Sequence, residues 1–282
     1  MVLKEEGELM VKPKWTRVLW KKQPFPDNYV GDSFLRVSKK RKELSLFEAC
    51  YGALSVTQEI CSCLGLVVLF FGISEGHLNS KNVLAVTAGV GVAGYLITRT
   101  KLTASVWFDL KVVCFCVILI ACASPIIKSL TGSVATDSIN ASTTFLLLLR
   151  LAVHDYGTEV AIVNPTVSHN VGLFASVCLA SRLENDLDVF TLMTVAVALF
   201  TLLPSFRRYH QNQLGKWWHM ASTVVVVVLT ALGIVSFAPH LLLLFLIALF
   251  VCNLFVPVMY ISLQGYKQNI YGPWDEAQIE DR

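Results

Sequence analysis

The ionisable side chains spaced like a site are Arg150, His154, Asp155 and Glu159. Arg150 stands one helical turn before His154, and the acids follow at the end of an apolar run. Charged groups at or inside a membrane are functional-site candidates by default. A structural network of paired charges is the alternative and is just as easily built. Asp186-Leu187-Asp188 matches a DxD pattern, two carboxylates able to hold Mg²⁺ or Mn²⁺. It falls in a short loop with no βαβ unit to cradle a nucleotide, so helix-capping carboxylates are its plainer reading. The histidines never pair at i, i+4, which argues against a helical zinc site. Cys61/Cys63 and Cys114/Cys116 lie two apart, on opposite sides of a helix, so neither pair chelates an ion. The eight cysteines read as small buried hydrophobes. These residues call for no metal, no cofactor and no nucleic acid. Gln58 and Glu59, inside the first apolar run, read as groups that satisfy a neighbouring helix.

Such groups must be positioned by helices in lipid. The 282 residues are 55% hydrophobic and only 15% charged, well below the ~25% charged of a soluble domain, and the mean hydropathy is +0.60. The expected fold is all-α, a polytopic transmembrane bundle of about eight spans near 47–73, 83–98, 112–127, 139–153, 160–180, 188–206, 218–237 and 240–263. The third and fourth look short enough for a re-entrant pair. Residues 1–46 read as a basic arm, 47–263 as the bundle and 264–282 as a tail. Of 23 lysines and arginines, only Lys81, Lys128 and Arg182 fall on the side away from the amino terminus. By the positive-inside bias both termini are cytosolic.

The segment 154–183 is the one around which the other spans are expected to gather. Ser168, Gly172, Ser176 and Ala180 recur every four residues, a small-residue face that lets a neighbouring helix come close. Pro165 removes a donor near its charged end and should bend the helix there.

QPFPDNYV (23–30), SPIIKSLTGSVATDSI (124–139), DYG (155–157), FASVCLASRL (174–183) and NIYGPWDEAQI (269–279) together resemble the PIG-C family. The resemblance implies a multi-pass endoplasmic-reticulum subunit of the complex that begins glycosylphosphatidylinositol (GPI) anchor synthesis. That complex moves N-acetylglucosamine from UDP-N-acetylglucosamine to phosphatidylinositol on the cytosolic face. Its glycosyltransferase fold belongs to a PIG-A subunit, with PIG-H, PIG-P, PIG-Q and PIG-Y as further partners. No catalytic residue carries over to this chain, so a scaffold with an acceptor-lipid site is the expected role. For that lipid, Arg150 would take the phosphate, His154 would donate, and Asp155 and Glu159 would accept from ring hydroxyls. A lipid transporter or scramblase, and an intrinsically catalytic membrane glycosyltransferase, are the competing classes.

Overall fold

The computed structural model describes residues 22–25, 44–99, 106–130, 133–156, 165–264 and 266. Glu159, most of the basic arm and nearly all of the tail lie outside the described residues. The described elements are α1 (Leu46–Ser74), α2 (Ser80–Arg99), α3 (Val106–Leu130), α4 (Thr136–Val153), α5 (Pro165–Ala180), α6 (Asp186–Val197), α7 (Leu203–Leu214), α8 (Lys216–Phe237), α9 (Leu242–Phe250) and α10 (Val256–Gln264). A π-helical turn, Ala198–Leu202, joins α6 to α7, and another, Val251–Phe255, joins α9 to α10. No strand occurs among the described residues, so the fold is all-α.

Among the described residues, six helical stretches are long and apolar enough to cross a membrane: Leu46–Ser74, Ser80–Thr98, Val106–Ser129, Asp186–His210, Lys216–Phe237 and Pro239–Gln264. The third is not short: its helix runs 25 residues, because Val106–Leu110 continues the apolar window at one end. Outside those stretches, α4 has 18 residues and α5 has 16, or about 27 and 24 Å at 1.5 Å per residue. Leucines, valines and phenylalanines stand exposed along α2, α3, α8 and α9. A bilayer is the medium in which such surfaces are at rest, since hydrocarbon tails are as apolar as the side chains.

Helix starts follow local chemistry. Ser45 caps α1 by accepting from the Glu48 amide at 3.3 Å, and the Glu48 carboxylate accepts from the Ser45 amide at 3.0 Å, a reciprocal capping box. The described part of α5 opens on Pro165. The two π turns share one cause. Pro204 and Pro257 lack the N–H that would bond four residues back, so the ladder widens just before each.

Among the six longer stretches α1 is the most enclosed: 56% of its apolar window is buried, against 44% for Asp186–His210 and none for α2. Its Leu66 and Phe70 meet Leu179 of α5 and Val189, Leu192 and Phe200 of the α6 stretch in the main core. Cys61 joins Ile234 of α8 and Phe245 of α9 in a second, smaller one. Helix α8 lies against α1 closely enough that a Cβ on Gly233 would stand 2.7 Å from Val68 Cγ1. Helix α5 packs most extensively on α4, with Ser168, Ser176 and Ala180 all buried.

Gly172 completes that face. A Cβ there would meet Arg150 Nη1 at 2.8 Å, Arg150 Cδ at 2.9 Å and Phe200 Cδ2 at 3.0 Å. Both neighbours are fully buried and cannot step aside. Gly172→Ala should therefore lower the thermal unfolding midpoint in detergent, at an overpacking cost of about 1–3 kcal/mol. Gly89→Ala, with nothing within 4 Å of its Cβ, serves as the control and should unfold at or above the wild-type midpoint. Equal midpoints for the Gly172 variant and wild type would show that the α4–α5 seam is loose.

Candidate functional site

Three successive residues of α1, Thr57, Gln58 and Glu59, are each at most 2% exposed, and each turns toward a different helix. Thr57 Oγ donates to Asn253 Oδ1 at 2.9 Å, in the π turn before α10. Gln58 Nε2 donates to Thr223 Oγ at 2.6 Å and Ser222 Oγ at 3.1 Å on α8. Glu59 faces α4 and meets Arg150.

Arg150 is wholly buried and its guanidinium is saturated. Nε donates to Glu59 Oε1 at 2.7 Å, and Nη2 is paired with the same oxygen. Nη1 donates to the Ser168 carbonyl at 2.8 Å, and Nη2 reaches the Phe200 carbonyl at 3.3 Å. The guanidinium carbon lies 4.2 Å from the Phe200 ring centroid, a stacked cation–π contact. The Phe200 carbonyl is available because Pro204 gives it no partner four residues on. His169 Nδ1 also donates to it, at 2.7 Å. The proline and its π turn thus supply the fourth wall of a polar chamber inside the bundle.

His154 sits just past the end of α4. Its Nδ1 is 3.2 Å from Ser168 Oγ, and its Nε2 is 3.6 Å from Glu59 Oε2. A carboxylate opposite Nε2 calls for the proton on that nitrogen, leaving Nδ1 to accept from the Ser168 hydroxyl. Burial outweighs the Glu59 charge and lowers the His154 pKa from 6.5 to about 4. The ring is therefore neutral at physiological pH. Tyr156, stacked edge-on to His154, donates to the Leu151 carbonyl at 2.7 Å, and burial raises its pKa.

Beside this chamber is a half-open cavity of about 290 Å³, built from one end of α1, the segment after α4, α7 and the start of α8. Asp155 and Arg208 pair on its rim, Arg208 Nη1 to Oδ2 at 3.1 Å. Arg207 lines it too and donates to Ser62 Oγ at 3.2 Å. His219, in the same lining, has its Nε2 3.4 Å from Ser55 Oγ.

The structure thus brings Arg150, His154 and Asp155 to one end of the bundle, with Glu159 outside the described residues. Arg150 and Asp155 do different work from each other: the first neutralises Glu59 in the interior, the second meets Arg208 on the rim. Sequence reasoning passed over Arg207, Arg208 and the Phe200 carbonyl. The Pro204-x-x-Arg207-Arg208 string could have flagged them, because a proline that frees a carbonyl one turn before two cations is a polar feature in an apolar run.

At the other end of the bundle the two DxD carboxylates are engaged in structure. Lys128 Nζ is 3.5 Å from Asp186 Oδ1, and Asp188 accepts from Ser80 Oγ and, at 2.8 Å, from Asn185 Nδ2. Both sit in the first turn of α6, where carboxylates complement the helix dipole. No cluster able to hold a metal ion occurs among the described residues.

Residues 15–275 match the family model GPI2, described as phosphatidylinositol N-acetylglucosaminyltransferase. The chain is 36% identical over 283 residues to a phosphatidylinositol N-acetylglucosaminyltransferase subunit of Rattus norvegicus, covering 95% of this chain and 94% of the relative. It is 34% identical to the subunit of the same name in Homo sapiens, with the same coverage. To the GPI2 subunit of that transferase in Schizosaccharomyces pombe it is 31% identical, over 98% of this chain and 89% of that protein. No solved structure matches.

The buried pair and the neutral histidine each generate an expectation. Removing one member of a buried ion pair leaves an uncompensated charge, at about 3–5 kcal/mol, whereas replacing both with apolar residues can be close to neutral. Glu59→Leu and Arg150→Met alone should each collapse the yield of folded protein, and the double variant should recover most of it, read by size exclusion in detergent. A double variant worse than either single would mean that the charges are needed for more than each other. His154 binds its proton more weakly folded than unfolded. Its contribution to stability is complete above pH 6.5 and is lost as pH falls from 6.5 toward about 4. The thermal midpoint of His154→Asn should fall less steeply than wild type across that window.

Proposed function

The chain belongs to the GPI2 family, and we propose that it acts in GPI-anchor biosynthesis as a non-catalytic membrane subunit of the phosphatidylinositol N-acetylglucosaminyltransferase complex. In this reading the complex transfers N-acetylglucosamine from UDP-N-acetylglucosamine to phosphatidylinositol in the endoplasmic-reticulum membrane. The chemistry resides in a PIG-A-like subunit, with PIG-H, PIG-P, PIG-Q and PIG-Y-like chains completing the assembly. This chain contributes membrane scaffold and the acceptor side. The observation that carries the proposal is coverage: relatives named as subunits of this transferase align with nearly the whole chain.

Physical features support the division of labour. Transfer from a soluble nucleotide sugar needs a site for uridine and diphosphate, and the described residues form helices and short connections with no strand among them. The DxD carboxylates are tied to Lys128, Ser80 and Asn185 at the end away from the arginines. Cations gather at the end where α1 begins, α4 ends and α7 meets α8, in keeping with that end and both termini facing the cytosol. Arg150, His154 and Asp155 belong to that end, where Arg150 acts by holding the chamber together and Asp155 stays at the rim.

Affinity purification of the tagged chain should bring down a glycosyltransferase of soluble fold. The purified chain alone should transfer no sugar to phosphatidylinositol, and the complex carrying Asp186→Asn with Asp188→Asn should keep wild-type turnover. Turnover by the isolated chain, or a dead double variant that still assembles, would make this chain the enzyme.

A further inference from the structure

Charge accounting at the arginine end leaves one group over. Glu59 is matched by Arg150, and Asp155 by Arg208. Arg207 lines the same cavity, and among the described residues no carboxylate oxygen lies within 4 Å of it; its contact is the neutral Ser62 hydroxyl. Among the described residues a single positive charge is therefore in surplus around a cavity of about 290 Å³, near the lower bound of small-ligand sites at ~300 Å³. That space suits a headgroup rather than a whole lipid.

The opposite need is present in the same cavity. Glu59 lines it, is 1% exposed, and its Oε2 accepts no hydrogen bond from any described group, His154 Nε2 being 3.6 Å away. Both Arg150 contacts fall on Oε1, so the second oxygen keeps its lone pairs. A buried carboxylate oxygen left unmet is costly, and a ligand hydroxyl or N–H would satisfy it. Ser55 and His219 add further polar groups to the lining.

We infer that this cavity binds the headgroup of an anionic polyol phospholipid, with Arg207 on the phosphodiester and Glu59 Oε2 accepting from a ring hydroxyl. Resting on the proposed function, the inference identifies the ligand as the acceptor phosphatidylinositol. It moves the phosphate from Arg150, whose donors are used up inside the bundle, to Arg207. Asp155 would repel a phosphate were it alone, but Arg208 cancels it at 3.1 Å. Arg207 is a binding residue here, with no part in breaking the sugar–phosphate bond.

The test uses the full chain reconstituted with its partner subunits in phosphatidylcholine vesicles, with transfer measured against phosphatidylinositol content. Arg207→Gln should raise the half-saturating content about tenfold, with assembly and the saturated rate unchanged, and Arg207→Lys should lose less. Wild-type acceptor dependence in an assembled Arg207→Gln complex would overturn the inference. Should that variant fail to assemble, a photoactivatable phosphatidylinositol on the wild-type complex decides. Adducts on the peptides around Ser55–Glu59 or Pro204–Arg208 support the site, and adducts confined elsewhere overturn it. Soluble inositol 1-phosphate should compete with that probe where inorganic phosphate does not; equal competition would reduce the cavity to an anion site and remove the Glu59 role. If the wild-type chain assembles with no transferase, the proposed function has failed, and crosslinking on the chain alone still reads the cavity.

Discussion

A guanidinium cannot rest unpaired among apolar helices, and the way Arg150 is neutralised organises everything around it. Its carboxylate partner comes from α1, one carbonyl from α5 and another from the π turn after α6. These elements are far apart in sequence, and the Phe200 ring closes the stack. In hydrocarbon the hydrophobic effect gives helices little reason to meet, so specific polar contacts and close packing decide which faces pair. Arg150 draws α1, α4, α5 and the α6–α7 stretch onto one point. Gly172 is needed because the arginine must lie flat across the α5 backbone, and any side chain there would displace it.

The same principle explains how α1 is held in one register. Consecutive residues of a helix point about 100° apart, so Thr57, Gln58 and Glu59 address three directions. Each direction holds a partner: Asn253, the Thr223–Ser222 pair and Arg150. A helix satisfied on one side only would tolerate rotation; one held on three sides has a single register. Prolines contribute by subtraction. Pro204 removes a donor from the ladder, and the carbonyl it releases becomes the acceptor that Arg150 and His169 share.

The two ends of the bundle differ in what is left over. At the DxD end, carboxylates, a lysine and small polar groups close on one another and tie α2, α3 and α6 together. At the arginine end, Arg207 and Glu59 line the same cavity, the cation with no carboxylate and the acid with one oxygen unmet among the described groups. Charges saturated within the chain stabilise it; charges left available are the ones that can meet a ligand.

Composition and the spacing of apolar windows determined that this chain is a helical membrane bundle, and the scarcity of charge left few other outcomes. The family was legible in long strings such as FASVCLASRL, and the close-packed face of α5 in its four-residue repeat of small side chains. The sequence also placed Gln58 and Glu59 as groups that satisfy a neighbour, because an ionisable residue inside an apolar helix must find one. Which neighbour was not legible. Glu59 and Arg150 are 91 positions apart, and no local pattern joins them; only the crossing of α1 with α4 does. For the same reason Arg150 read as an exposed phosphate ligand, since a guanidinium at the end of a predicted span looks interfacial until α5 and the π turn fold over it. Arg207 carried no signal of its own in the sequence, because its surplus among the described residues exists only after Arg150 and Arg208 have taken the two carboxylates. Local chemistry decided what each helix is; the pairing of charges in three dimensions decided which of them remain available to a ligand.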